Sequence, residues 1–261
     1  MKNQNYAPTW NRAYPSEDLH EYTKYHVIVK AADTKFRLFP RTSDAFYYWK
    51  KLRANLSRYG CQLVEYMTMR THSHFLALTP DGLYPLMKAV LATNISYGMH
   101  LRYAAKRSKP SEKDLGLIDL LCKNPKQKIF QKHNFYIPIV GYRHLLIELR
   151  YINRNPENAN IPNGDRFISS RQEYNRNYFE FIDKEAVTTI SRLFSMEPHV
   201  LHRELMVDDE VWRQRIDDLM PKDISDEQQV FKVPHARYPL FTFSFPDISV
   251  IEDNDNDFWL L

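Results

Sequence analysis

His72, Ser73 and His74 place two imidazoles one residue apart. In an extended strand side chains alternate with period two, so both rings leave the same face, close enough to bind one ion. A second group with chemical capacity is Arg150 to Pro156, R-Y-I-N-R-N-P, in which Tyr151 and Asn155 stand at i and i+4 of a helical run. That spacing projects a phenol and a carboxamide from one helix face, a turn apart, so that one group could attack while the other ligates. Neither signal is specific alone. An H-x-H arises by chance in a chain with 10 histidines, and with 17 tyrosines a helical Tyr is ordinarily a packing residue.

Both groups depend on the elements that carry them. From Tyr25, YHVIVKAAD alternates and is β-branched, as a strand should be, and Lys35 to Pro40 would continue the hairpin. Ser43 or Asp44 can cap a helix through AFYYWKKLRANLSRYG, with Phe46, Trp49, Leu52 and Leu56 at helical spacing and Gly60 after its end. CQLVEYMTMRTHSHFLALTP reads as two strands joined near Arg70 and Thr71. A helix from about Leu83 to Lys106 presents Leu86, Val90, Ile95 and Met99 inward and ends in a basic cluster. A short helix near Leu115 to Cys122, a strand in NFYIPIVG and a helix from Tyr142 to Asn155, stopped by Pro156, follow. Three further helices are expected at 182–194, 198–205 and 208–219. The pattern predicts an α+β fold, an antiparallel sheet covered by helices, with a small, mostly helical C-terminal region. The expected organisation is an N-terminal arm over 1–22, a catalytic domain over 23–160, a helical region over 161–222, and a Pro- and aromatic-rich segment with an acidic tail over 223–261.

Composition limits what the chain can do. Its 261 residues suffice to bury a core, and two cysteines, Cys61 and Cys122, exclude a disulfide scaffold or a multi-cysteine zinc module. No apolar run approaches the roughly 18 residues of a spanning helix, and MKNQNYAPTWNRAYPSED is polar rather than signal-like, so the expectation is a cytoplasmic protein with no membrane partner. The net charge of +4 conceals a polarised chain: residues 1–160 hold 25 Lys and Arg against 12 Asp and Glu, net +13, whereas residues 161–261 hold 11 against 20, net −9. A basic body attracts polyanions, and nucleic acid is the natural partner.

At these residues the sequence resembles the single-tyrosine (Y1) HUH transposases of the IS200/IS605 type, and especially their domesticated relatives, the REP-associated tyrosine transposases. TMRTHSHFLAL has that family's form of strand, turn, His, a variable residue, His and strand, with Ser73 where a hydrophobic residue is usual. FQKHNFYIPIVGYRHLLIELRYINRNPENA resembles the family block from a Phe-Gln pair to Tyr-Ile-x-x-Asn-Pro, with Leu145, Leu146, Leu149 and Arg150 in place. It departs at His133, Asn134 and Phe135, where the family usually shows Arg-Phe-Lys. RFISSRQEY resembles the Ser-Ser-Tyr-x-x-Tyr signature at Ser169, Ser170 and Tyr174, with Arg171 in place of the first Tyr. The likeness covers about residues 25 to 175.

The resemblance implies a ferredoxin-like domain in which His72, His74 and Asn155 ligate one Mg²⁺ or Mn²⁺ and Tyr151 is the nucleophile. It implies cleavage of single-stranded DNA beside a hairpin through a 5′-phosphotyrosine, in a bacterial cytoplasmic protein, with monomer and homodimer both open. A free phenol has a pKa near about 10, so Tyr151 needs help, for which Arg150 and Arg154 are candidates. Phosphates would meet Arg102, Lys106, Arg107, Lys109, Lys128, Lys132, Arg150 and Arg154, and bases would stack on exposed members of the set Tyr47, Tyr48, Tyr97 and Tyr103. The alternative is a domesticated protein that binds hairpins without cutting them. Ile182 to Leu205 reads either as a degenerate helix-turn-helix or as a packing unit. The tail with Glu252, Asp253, Asp255 and Asp257 is expected to imitate DNA in the basic groove.

Overall fold

The period-two pattern that begins the domain forms β1 (Thr23–Lys30) and sits at the heart of the sheet. The computed structural model describes residues 23–80, 82–107, 116–161 and 168–221. The N-terminal arm, Lys109 and the segment 223–261 lie outside them. Two further strands pair antiparallel with β1: β3 (His72–Thr79), with Val27 opposite Phe75 and Ile28 opposite His74, and β4 (Phe135–Ile139), with His26 opposite Ile137. β2 (Gln62–Thr68) adds to β3 with a bulge between Leu63 and Glu65. The strand order is β2-β3-β1-β4. With α1 (Thr42–Arg58) between β1 and β2, and α2 (Leu83–Arg107) and the short α3 (Leu117–Lys123) between β3 and β4, this is the β-α-β-β-α-β ferredoxin-like arrangement, so the α+β reading holds.

Register decides what each sheet face carries. Val27, Val29, Ser73 and Phe75 share one face, which α1 and α2 cover: Trp49 meets Tyr66 at 4.4 Å between ring centroids and Phe75 at 6.1 Å. The Trp49 indole N–H donates to Thr68 Oγ1 at 2.8 Å. Lys24, His26, Ile28, Lys30, His72 and His74 share the other face, against α4 (Tyr142–Asn158). Beyond it, α5 (Ser170–Arg176), α6 (Lys184–Leu193), α7 (Pro198–Leu205) and α8 (Asp209–Leu219) complete the cover.

Several local expectations are corrected. Lys35 to Pro40 is a run of turns and bends rather than a strand. Asp44 is not the cap of α1 but its third residue, where its carboxylate accepts the Arg41 backbone N–H at 3.1 Å. On α1, Trp49, Leu52 and Leu56 are buried but Phe46 is 42 % exposed. On α2, Leu86 and Val90 face inward as expected, whereas Ile95 and Met99 face outward. The buried ridge turns instead through Thr93, Tyr97, Leu101 and Ala105, because Thr93 Oγ1 takes a bond from Asn55 of α1 and the Tyr97 hydroxyl donates to Leu38 O. Pro156 does not stop α4, which runs on to Asn158. The missing proline N–H removes one bond close to the helix end, and Asn160, at φ 54°, turns the chain away.

α6 and α7 pack instead of standing clear. Asp183, at the start of α6, accepts the Leu63 N–H on its carboxylate at 2.7 Å and donates its own N–H to Leu63 O, also at 2.7 Å. Val187, Ile190, Leu201 and Leu205 are buried. No helix among the described residues is long and apolar enough to cross a membrane.

Candidate active site between the sheet and α4

On α4, His144, Glu148, Tyr151 and Asn155 follow at intervals of four, three and four residues, so they form one stripe. The helix lies against the polar face of the sheet, which brings that stripe over three strand histidines. His72 and His74 have ring centroids 4.8 Å apart, as the H-x-H spacing requires. The Tyr151 ring lies 5.6 Å from that of His74 and 5.8 Å from that of His26. Asn155, one turn along α4, is buried.

His26 is a residue that sequence reasoning missed. Its Nε2 is 2.8 Å from His74 Nδ1, and its Nδ1 is 2.6 Å from Glu148 Oε2, in contact though off the angle of a good hydrogen bond. Glu148 in turn lies 3.2 Å from His144 Nε2, while His144 Nδ1 accepts the Val140 N–H at 3.3 Å. A carboxylate thus holds one imidazole, which holds the next. Such an outer partner orients a histidine and fixes its tautomer. Extending the α4 stripe back from Tyr151 would have found Glu148 and His144. For His26, only the polar positions Lys24, His26 and Lys30 on one face of an otherwise apolar strand gave a hint.

Burial sets the charge state of the site. It pushes His72 down to about 4, with Lys30 and His26 adding repulsion, and holds His74 well below the ordinary imidazole value. Both rings are therefore neutral near pH 7, the form that donates a lone pair. Burial would raise the Glu148 carboxyl, but the His26 and His144 imidazoles outweigh it and hold it down at about 2.

A divalent ion implied by the resemblance can be tested against these atoms. His74 Nε2 is buried and has no hydrogen-bond partner among the described residues, while its Nδ1 is already held by His26. An orphaned, neutral imidazole nitrogen on the Tyr151 side of the sheet fits a ligand atom. Among the described residues no three His, Cys, Asp or Glu side chains form a metal-binding group, and the Asn155 carboxamide is a donor of another type on the same α4 stripe as Tyr151.

The basic residues divide into two sets. Lys106, Arg107, Lys128 and Lys132 are exposed. Arg102 is tied to the loop before β4, donating to Pro125 O at 2.9 Å and Gln127 O at 3.2 Å. Arg150 and Arg154 point away from the histidines, because positions 150 and 154 fall off the Tyr151 stripe. Arg150 is buried over the Trp212 ring, donating to Leu205 O at 2.6 Å and to Asp209, and Arg154 donates to Val207 O at 3.1 Å and to Asp209. Arg171 pairs with Glu157 and donates to Asn153 O, fastening α5 to α4. Of the four tyrosines considered for stacking, Tyr103 is exposed, Tyr47 half-buried, and Tyr48 and Tyr97 buried.

No protein-family model matches the chain, and no curated protein does. Among solved structures, a REP-associated tyrosine transposase bound to a REP hairpin matches over 62 % of this chain and 84 % of that one, at 10 % identity and a TM-score of 0.43.

Proposed function

We propose that the chain is a metal-dependent, tyrosine-based nuclease and strand transferase acting on single-stranded DNA beside a hairpin. The observation that carries this reading is the meeting of the Tyr151 ring with His74, whose Nε2 is buried without a partner, across the interface of α4 and β3. The resemblance at TMRTHSHFLAL and RYINRNP supports it.

The Tyr151 oxygen attacks the phosphorus, a P–O bond to tyrosine forms, and the P–O3′ bond breaks. Tyr151 loses its proton and the departing O3′ gains one as a free hydroxyl. Attack by a different 3′-OH reverses the sequence and joins new ends, so no external energy source is consumed. His72, His74 and Asn155 would hold a Mg²⁺ or Mn²⁺ that, when bound, polarises the scissile phosphate and offsets its charge. Glu148 and His26 keep His74 in the tautomer that leaves Nε2 open. In this reading the exposed Lys106, Arg107, Lys128 and Lys132 contact phosphates, with Lys109 a further candidate outside the described residues, whereas Arg150 and Arg154 serve α7 and α8.

The test is to incubate the protein with Mn²⁺ and a labelled hairpin oligonucleotide carrying a single-stranded flank. A covalent protein–DNA adduct should form, vanish in Tyr151→Phe and persist in Tyr103→Phe. An adduct that survives Tyr151→Phe overturns the assignment. Tight hairpin binding with no adduct supports the reading without cleavage.

A further inference from the structure

The outward face of α2 carries Tyr84, Met87, Leu91, Ile95, Met99 and Tyr103, each between 42 and 61 % exposed. After Met87 every step is four residues, so these side chains form one ridge with a repeat of about 6 Å and a length of about 29 Å. A continuous apolar strip of this kind marks an interaction surface. The charged side chains of α2 itself are all positive: it contains Lys88, Arg102, Lys106 and Arg107 and no acidic residue. Lys88 Nζ sits 4.2 Å over the Tyr84 ring and the Arg107 guanidinium 4.2 Å over that of Tyr103, so cations flank both ends of the ridge.

The chain itself contains a segment with the complementary pattern. In residues 240–261, LFTFSFPDISVIEDNDNDFWLL, Phe241, Phe243 and Phe245 recur with period two, followed after Pro246 by Ile248 and Val250. In an extended segment such side chains repeat every 6.6 Å or so, and Phe241 to Val250 would cover about 30 Å, the length of the ridge. Glu252, Asp253, Asp255 and Asp257 come next, and no Lys or Arg follows Arg237. Laid parallel to α2, Glu252 and Asp253 fall beside Lys106 and Arg107 at the end of the helix. Reach is sufficient, since the 20 residues from Pro221 to Phe241 can span roughly 66 Å, and a domain of this size has a radius of gyration of about 16 Å. A second copy is the poorer fit, because two α2 faces would bring like charges together with no carboxylate of their own to pair them.

We propose that residues 240–261 dock on the outward face of α2, with Phe241, Phe243, Phe245, Ile248 and Val250 on the apolar ridge and the carboxylates of Glu252 and Asp253 at its basic end. The test replaces the exposed Ile95 of the full-length chain with the photo-crosslinking residue p-benzoylphenylalanine, with Leu91 as a second probe site and the exposed Lys50 of α1 as control. Unchanged circular dichroism confirms that each probe protein is folded. On irradiation, the Ile95 and Leu91 probes should crosslink to peptides from 240–261 in the monomer band, several-fold more than the Lys50 probe. High salt, the pair Lys106→Gln and Arg107→Gln, and the triple change of Phe241, Phe243 and Phe245 to Ser should each lower that yield several-fold. Crosslinks confined to a dimer band would assign the ridge to a second copy and overturn the proposal. So would monomer crosslinks outside 240–261, or a tail yield no higher than the control.

Discussion

His26 donates no ligand in the proposed site, yet it stands between Glu148 and His74 and holds the latter's Nδ1. Replacing it by Gln should lower cleavage by about 10- to 100-fold, the usual cost of losing a partner that orients a ligand, while hairpin affinity stays level. Parallel loss of affinity in a binding assay would show that His26 acts on the fold instead. On the same sheet face, burial raises the Glu65 carboxyl to about 8, against weaker opposing pulls from Asn153 and Arg171. Its folded value lies above the unfolded one of 4.5, so the folded form binds the extra proton between them. The associated stability is full below pH 4.5 and is lost as pH rises toward 8. Thermal midpoints should therefore decline over that window in the wild type relative to Glu65→Gln, whose side chain has no proton to lose. His72, His74, Tyr151 and Asn155 were legible because each pair has a spacing that only one backbone geometry converts into proximity. His26 and Glu148 were not, since their meeting depends on how β1 registers against β3 and how α4 crosses the sheet.

Among the elements, α2 shows why periodicity can identify a helix and still misjudge its inward side. Leu86, Val90, Tyr97 and Leu101 compose one apolar ridge, and Met87, Leu91, Ile95 and Met99 another, so hydrophobicity alone cannot choose between them. The choice comes from polar partners on α1 and from the Tyr97 hydroxyl. Equilibrium urea unfolding should separate the two ridges: Leu86→Ala should cost about 2 to 5 kcal/mol, whereas Ile95→Ala, on the outward ridge that only the C-terminal segment is proposed to cover, should cost less than about 1 kcal/mol. A loss at Ile95 as large as that at Leu86 would put both ridges in the core. α4 shows the converse case, where a proline near the end of a helix marks the neighbourhood of its stop without fixing it. α5 left no clear sign beforehand, being seven residues long and held chiefly through Arg171 to α4 and Ser170 to Tyr66.

At the scale of the molecule, the order of strands and helices could be read along the chain because each pattern is local, whereas the assignment of Arg150 and Arg154 required the C-terminal helices to be in place. With Lys106, Arg107, Lys128 and Lys132 as the phosphate contacts, the logarithm of the affinity for single-stranded DNA should fall with that of salt concentration at a slope near −3, from about −0.7 per phosphate for four contacts. Changing the four residues to Gln should flatten the salt plot, and an unaltered slope would move the DNA to another surface. The grip of Leu205, Val207 and Asp209 on those two arginines has a practical outcome. Tyr151 lies between two side chains that α7, α8 and their connection hold from behind, so the helix bearing the proposed nucleophile takes its footing from the acidic half of the chain. A fragment ending near Asn160 would strip both guanidinium groups of their acceptors and expose the underside of α4. Inactivity in such a truncation would then report a loosened helix and reveal nothing about whether the acidic half touches DNA.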